Sequence, residues 1–283
     1  MPNNFVFFGT PETARRTLEM LVSSGFRPSL VVTNPDAPQG RGLALAPSPV
    51  KAWAEKNGLF VYTPERLDEA ACAIIRAHHL SFAIVVAYGK IFPESLIDAF
   101  PMGVLNVHYS LLPAYRGATP LEAALRNGET VTGVTVQKMV RELDAGDILA
   151  QAEVAITPTE TARELRPRLI EAGADLLQKT LPTYLAGTIK PRAQDHAHAT
   201  RAGKLKKEDG LLNLTVSGTQ SWNTYRAYHD TIGTHFFTKE GMRVKVASAS
   251  LSASGDFIIE RVVPEGRREM PYADFKKLGH PMS

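Results

Sequence analysis

The chain has 283 residues, 44% of them hydrophobic and 22% charged, and a formal net charge of +3. That length suits one large and one small domain, and no apolar run reaches the roughly 18 residues of a membrane helix. The single cysteine, Cys72, rules out an intrachain disulfide and a cysteine-based zinc cluster, and fits a reducing cytosol. The N-terminal "MPNNFVFFGTPE" lacks the basic start and apolar core of a secretory leader, so a cytoplasmic location is expected. Charge is unevenly spread. Residues 201–283 hold 13 Lys+Arg against 9 Asp+Glu, which makes this the basic part of the chain. A basic surface attracts phosphate backbones without reading sequence, while a merely solvated charged face is the plainer alternative.

In chain order, "FVFFG" (5–9) predicts a buried strand. "TPETARRTLEMLVSSG" predicts a helix with a cap residue, a proline next to it, and Gly25 as its stop. "SLVVT" (29–33) is the next strand. Residues 34–48 hold three prolines and two glycines and read as a long loop, of the kind that in compact domains tends to carry function. A helix is expected over 50–57, a strand at "LFVY" and a helix at "ERLDEAACAIIRAHH". "FAIVVAYG" (82–89) is apolar throughout, as in a parallel sheet covered on both faces. "GVLNVH", a helix near 120–127, and the strands "TGVTVQKM" and "ILAQAEVAI" follow. A long helix is expected over 161–186. This alternation predicts an α/β fold with a doubly wound, mostly parallel sheet, whose ligands bind beyond the carboxyl ends of the strands. The domain reading is 1–188 for the α/β part, 189–210 as a polar, basic linker, and 211–283 as a small β-rich domain. No repeat or heptad pattern occurs.

The chemistry gathers at one strand end. Asn106 and His108 lie two residues apart in "NVH", so both side chains take the same face if the strand continues. An amide beside an imidazole suits oxyanion stabilisation and proton transfer; a satisfied core histidine is the alternative. Asp144, in "ELDAGDIL", either caps a turn with Asp147 or orients His108. "SLLP" (Ser110, Leu111, Leu112, Pro113) is more apolar than a surface loop requires. It either plugs the core or walls a slot for a flat ligand. Gly9 in "FFGTPE" is not part of a G-x-G-x-x-G pattern and no P-loop motif occurs, so nucleotide binding by those routes is unsupported. His78–His79 and His196/His198 lack matched ligand partners, and no metal is expected.

Taken in order, "FFGTPE", "VVTNPDAPQGRG", "PSPVK", "VVAYGKI", "NVHYSLLPAYRGATP", "TGVTVQKM" and "LDAGDIL" resemble the methionyl-tRNA formyltransferases, a folate-dependent family. "ATRAGKLKKEDG" resembles that family's domain junction. The resemblance implies a Rossmann-like catalytic domain followed by a small OB-like domain, short here for the family, with "YRAYHDTIGTHFF" in place of its usual Pro- and Trp-containing segment. It implies formyl transfer from 10-formyl-tetrahydrofolate to the α-amino group of methionine on initiator tRNA, without a metal. By carry-over, Asn106 and His108 hold the carbonyl oxygen and Asp144 fixes His108. Ser110–Pro113, Tyr88 and Gly89 would line the folate site. Arg41 in the loop and Lys204, Lys206 and Lys207 near the junction would contact tRNA, and a monomer is expected. Sugar-nucleotide N-formyltransferases share the Asn-x-His and Asp core and are the competing reading. The loop, "PSPVK" and the basic C-terminal part favour tRNA.

Overall fold

The computed structural model describes residues 4–39 and 43–279. Its elements in chain order are β1 (Phe5–Gly9), α1 (Glu12–Ser23), β2 (Leu30–Val32), β3 (Ala37–Gln39), β4 (Ala44–Ala46), α2 (Pro49–Lys56), β5 (Val61–Tyr62), α3 (Glu69–Arg76), β6 (Phe82–Val86), α4 (Glu94–Ile97) and β7 (Val104–His108). Then come β8 (Arg116–Gly117), α5 (Pro120–Arg126), β9 (Val131–Lys138), β10 (Ile148–Ala155), α6 (Ala162–Leu185), β11 (Arg201–Ala202), α7 (Gly218–Tyr228), β12 (Thr234–Phe237), β13 (Arg243–Leu251), β14 (Phe257–Pro264), β15 (Met270–Pro271) and α8 (Tyr272–Lys277). By packing, the chain divides into two compact units. The first comprises residues 1–116, 133–154 and 167–200, and the second 117–132, 155–166 and 201–283.

The first unit is built on a seven-stranded sheet in the order β10-β9-β7-β6-β1-β2-β5. Strands β1, β2, β5, β6 and β7 pair in parallel, and every residue of β1 and β6 is buried. Unbroken apolar runs are what a sheet covered on both faces demands. Helix α1 buries Ala14, Thr17, Leu18 and Leu21, the i, i+3, i+4, i+7 stripe of an amphipathic helix. It is drawn tight against the sheet at Gly9, where a Cβ would come within 2.5 Å of Ala14 Cβ and 2.9 Å of the Val86 carbonyl. Close helix–strand approach, not phosphate binding, therefore accounts for that glycine. Helix α2 begins at Pro49, and the Ser48 side chain accepts from the Lys51 amide at 3.0 Å, a cap worth about 1 kcal/mol.

Two elements differ from the sequence reading. The stretch 34–48 carries a short antiparallel hairpin, β3 with β4, in which Ala37 pairs with Ala46. Leu43 and Leu45 stand on it 71% and 73% exposed; Arg41 lies outside the described residues. In the second unit, helix α7 accompanies the strands of the C-terminal stretch. Its sequence "GTQSWNTYRAY" is rich in weak helix formers, which hides the pattern. It is made a helix by packing: its eight residues from Ser221 to Tyr228 are all buried, and the Ser217 side chain caps its start. Around it lies a four-stranded sheet, β12-β13-β14-β15, antiparallel throughout. Trp222, Tyr225, Phe236, Val244, Val262 and Phe275 form its core. The Trp222 indole donates to the Pro158 carbonyl at 2.9 Å. Among the described residues no helix is long and apolar enough to cross a membrane.

What positions the site is the change of direction at β7. It lies parallel to β6 on one side and antiparallel to β9 on the other, with Asn106 opposite Gln137 and His108 opposite Thr135. Directly opposed residues share a face, so four polar side chains are brought together on one side of the sheet. The neighbouring turn leans on Gly133, where a Cβ would collide with the Ala152 carbonyl and the Leu111 side chain. Gly133→Ala is expected to cost about 1–3 kcal/mol, the usual range for overpacking, and to displace Leu111; a denaturation midpoint compared with wild type checks it.

Candidate active site

His108 ends β7 and is 5% exposed. Its Nε2 lies 2.9 Å from the Tyr115 carbonyl oxygen. A carbonyl only accepts, so Nε2 carries the hydrogen and Nδ1 is the nitrogen left to act. Nδ1 stands 3.6 Å from Asp144 Oδ2, too far for a hydrogen bond but close enough for strong electrostatic coupling. Burial lowers the pKa of His108 below its ordinary value, opposed by the Asp144 charge and the Tyr115 carbonyl. The imidazole is accordingly neutral at neutral pH, with an unprotonated Nδ1 facing a carboxylate.

Asp144 is held by amides. Its Oδ1 accepts from Gln137 Nε2 at 3.0 Å and from Asn106 Nδ2 at 3.4 Å. Its backbone is left-handed, φ 52°, a region that aspartate tolerates better than most residues. Two residues on, Gly146 packs so close to the Lys138 carbonyl that a Cβ has no room. Asn106, His108 and Asp144 thus lie together. Asp147, the other carboxylate of the turn, is exposed.

The "SLLP" loop is pinned from below by one hydroxyl. Thr135 Oγ1 donates to the Ser110 carbonyl (2.7 Å) and accepts from the Leu112 amide (3.1 Å) and Gln151 Nε2 (3.0 Å). Ser110 Oγ donates to the Ala114 carbonyl at 2.6 Å, so this side chain serves the loop itself. Leu112 is 3% exposed, while Leu111 and Pro113 are half-buried. Tyr115, φ 60°, is clamped at its amide by Thr200 Oγ1 at 2.8 Å, and the next amide, that of Arg116, donates to the Thr200 carbonyl at 2.8 Å.

The remaining sequence-derived candidates are placed as follows. Tyr88 points into the core beside Phe8 and Phe92, 2% exposed, with no hydrogen-bond partner for its hydroxyl among the described residues; burial pushes its pKa well up. The exposed residues at this turn are instead Ala87 and Gly89, at φ 45° and 81°. Lys204, Lys206 and Lys207 are exposed and belong to the second unit. Sequence reasoning did not single out Gln137, Thr135, Arg116 or Gln194. A signal existed for two of them: Thr135 and Gln137 are polar and two apart, flanking Val136 in a strand, and are 0% and 1% exposed.

The Asn106 amide hydrogens and the unprotonated His108 Nδ1 beside a carboxylate offer a donor for a developing oxyanion and an acceptor for a proton. The half-buried Leu111 and Pro113 and the exposed residues Ala87 and Gly89 offer a wall and an edge for a flat ring. Among the described residues no three His, Cys, Asp or Glu group as a metal site requires.

Fold and site define a formyl transferase. Residues 3–181 match the family model described as formyl transferase. The chain is 40% identical to a methionyl-tRNA formyltransferase of Solibacter usitatus over 95% of this chain and 94% of the relative. It is 42% identical to one of Thermotoga maritima over 89% of this chain and 80% of the relative. The chain belongs to the methionyl-tRNA formyltransferase family. Among solved structures, an N-formyltransferase from Helicobacter canadensis, in complex with folinic acid and dTDP-3-aminofucose, shares the fold with a TM-score of 0.69 at 20% identity, covering 88% of each chain.

Thr135→Val removes the hydroxyl and keeps the shape. It leaves the Leu112 amide unpaired, and is expected to cost about 1–3 kcal/mol of stability. A raised KM for the folate, larger than any change in kcat, would mark the loop as its wall.

Proposed function

We propose that the protein transfers the formyl group of 10-formyl-tetrahydrofolate to the α-amino group of methionine carried by initiator tRNA. The observation that carries this reading is the His108–Asp144–Asn106 cluster in a chain 40% identical to a methionyl-tRNA formyltransferase over nearly its whole length. The sugar-nucleotide alternative rests on structures near 20% identity, a distance at which the fold is shared and the acceptor is not determined.

The roles follow from the atoms. Asn106 Nδ2 donates to the carbonyl oxygen as negative charge develops on it. The acceptor amine has an ordinary α-amino pKa of about 7.7–8, so a neutral fraction is present near neutral pH. As the amine bonds to the formyl carbon it must lose a proton, and the unprotonated His108 Nδ1, beside Asp144, takes it. The Asp144 carboxylate stabilises the imidazolium so formed. His108 then returns that proton to the departing nitrogen of tetrahydrofolate, and the ring ends neutral as it began. Because Nε2 stays on the Tyr115 carbonyl, one nitrogen performs both transfers.

Leu111, Pro113 and the turn at Ala87–Gly89 are proposed to hold the folate. Exposed Lys204, Lys206 and Lys207, with Arg41 from the sequence, are proposed to meet tRNA phosphates, an electrostatic task that suits flexible ammonium groups. The proposed compartment is the cytoplasm, where aminoacylated tRNA is available, and the proposed active form is a monomer.

The deciding experiment supplies 10-formyl-tetrahydrofolate with either methionyl-tRNA or an amino-sugar nucleotide and follows tetrahydrofolate release. Turnover with the sugar alone would sink the reading. Asn106→Ala is expected to lower kcat by roughly 100–1,000-fold, the cost of one oxyanion donor. Asp144→Asn removes the charge that raises the His108 pKa. The acid limb of kcat, where His108 becomes protonated and can no longer accept, should move to lower pH while the maximum falls. An unmoved limb would remove His108 as the base.

A further inference from the structure

Gln194 comes from the polar stretch that follows α6, yet it is 5% exposed. Its Nε2 donates to two carbonyl oxygens of the Asp144 turn, that of Asp144 at 2.8 Å and that of Gly146 at 2.7 Å. Its Oε1 accepts from Arg116 Nε at 3.1 Å and Nη2 at 2.8 Å. The orientation of the amide is unambiguous on chemical grounds. Two carbonyls require the NH2 group and the guanidinium requires the oxygen, so a flip would break all four bonds.

Arg116 is itself 6% exposed. Its Nη1 reaches Glu142 Oε1 at 3.4 Å, and its Nη2 donates to His196 Nδ1 at 3.1 Å. A buried polar chain whose members are partnered rigidifies what it touches. What it touches is a turn with reason to move: Asp144 sits at positive φ, a conformation a non-glycine residue keeps only where its surroundings impose it. Between them the two carbonyl contacts hold the backbone on both sides of Ala145, and that backbone decides where the Asp144 carboxylate stands.

We propose that Gln194, oriented by Arg116, is the positioning residue that fixes the Asp144 carboxylate beside His108 Nδ1. It touches no reacting atom. The proposal rests on the formyl-transfer reading for what the carboxylate does in turnover, and on geometry alone for where the carboxylate is kept.

The test uses the full chain with Gln194→Met, which keeps the length and removes both donors, and Gln194→Glu, which keeps a partner for Arg116 but sets a carboxylate against two carbonyls. In both, kcat is expected to fall on the order of 100-fold, as for a small misplacement of a catalytic group, with the KM for the folate unchanged. The second readout is the His108 titration followed by NMR without any acceptor. Its midpoint should move to lower pH, because the carboxylate that favours the charged ring is no longer held near it. Arg116→Lys, which retains a donor to Gln194, should show a smaller shift in the same direction. A wild-type His108 midpoint in both Gln194 variants overturns the proposal, as does unfolding of both, which would make the residue structural only. If methionyl-tRNA proves not to be the acceptor, the titration still decides the placement.

Discussion

The site depends on one hydrogen bond, that from His108 Nε2 to the Tyr115 carbonyl. It assigns the tautomer of a buried imidazole, and with it the single nitrogen that can exchange a proton. Tyr115 must present its carbonyl inward, and it does so from a left-handed backbone. The cost of that conformation, of order 1–3 kcal/mol, is offset by contacts from elsewhere in the chain. Hydrogen bonds to the Tyr115 carbonyl, from its amide and from the next amide, at roughly 0.5–1.5 kcal/mol each, are of comparable size. Asp144 repeats the arrangement on the other side of His108, with a strained backbone and side-chain amides gathered around it. The two positive-φ residues that bracket the imidazole are thus held by contacts that come from outside their own loops.

The antiparallel step from β7 to β9 is what makes this economical in residues. Within a parallel sheet the chain leaves each strand end by a helix, and neighbouring strand ends carry side chains from separate crossovers. Reversing direction beside β7 sets Gln137 and Thr135 opposite Asn106 and His108. One strand then supports both halves of the site, Gln137 at the carboxylate and Thr135 beneath the apolar loop.

The sequence was readable wherever the information was local. Apolar runs marked the parallel strands, a proline and a stopping glycine bracketed α1, and two polar residues at spacing two marked the strand end of the site. The fold class and the family likeness are carried by these features. Unread were the features made by contacts distant along the chain. Gln194 lies 50 residues from Asp144 and 78 from Arg116, within a stretch whose polarity looks like solvation. Arg116 looks like one more surface arginine until its guanidinium is seen to be buried. Helix α7 is unread for a related reason: Thr, Asn and Tyr are poor helix formers, and its helicity comes from being enclosed. Tyr88 shows the converse. Its position in a motif suggests a ligand contact, while its ring belongs to the core and the neighbouring Ala87 and Gly89 are the exposed residues.

The second unit is assembled from three separate stretches, with α5 and α7 packed together and the Trp222 indole bound to the Pro158 carbonyl. A gene fragment encoding only the C-terminal stretch would therefore encode an incomplete body, missing the surfaces that 117–132 and 155–166 supply. The first unit's segments 133–154 and 167–200 are interleaved along the chain between the parts of the second, so neither unit is encoded by one uninterrupted stretch.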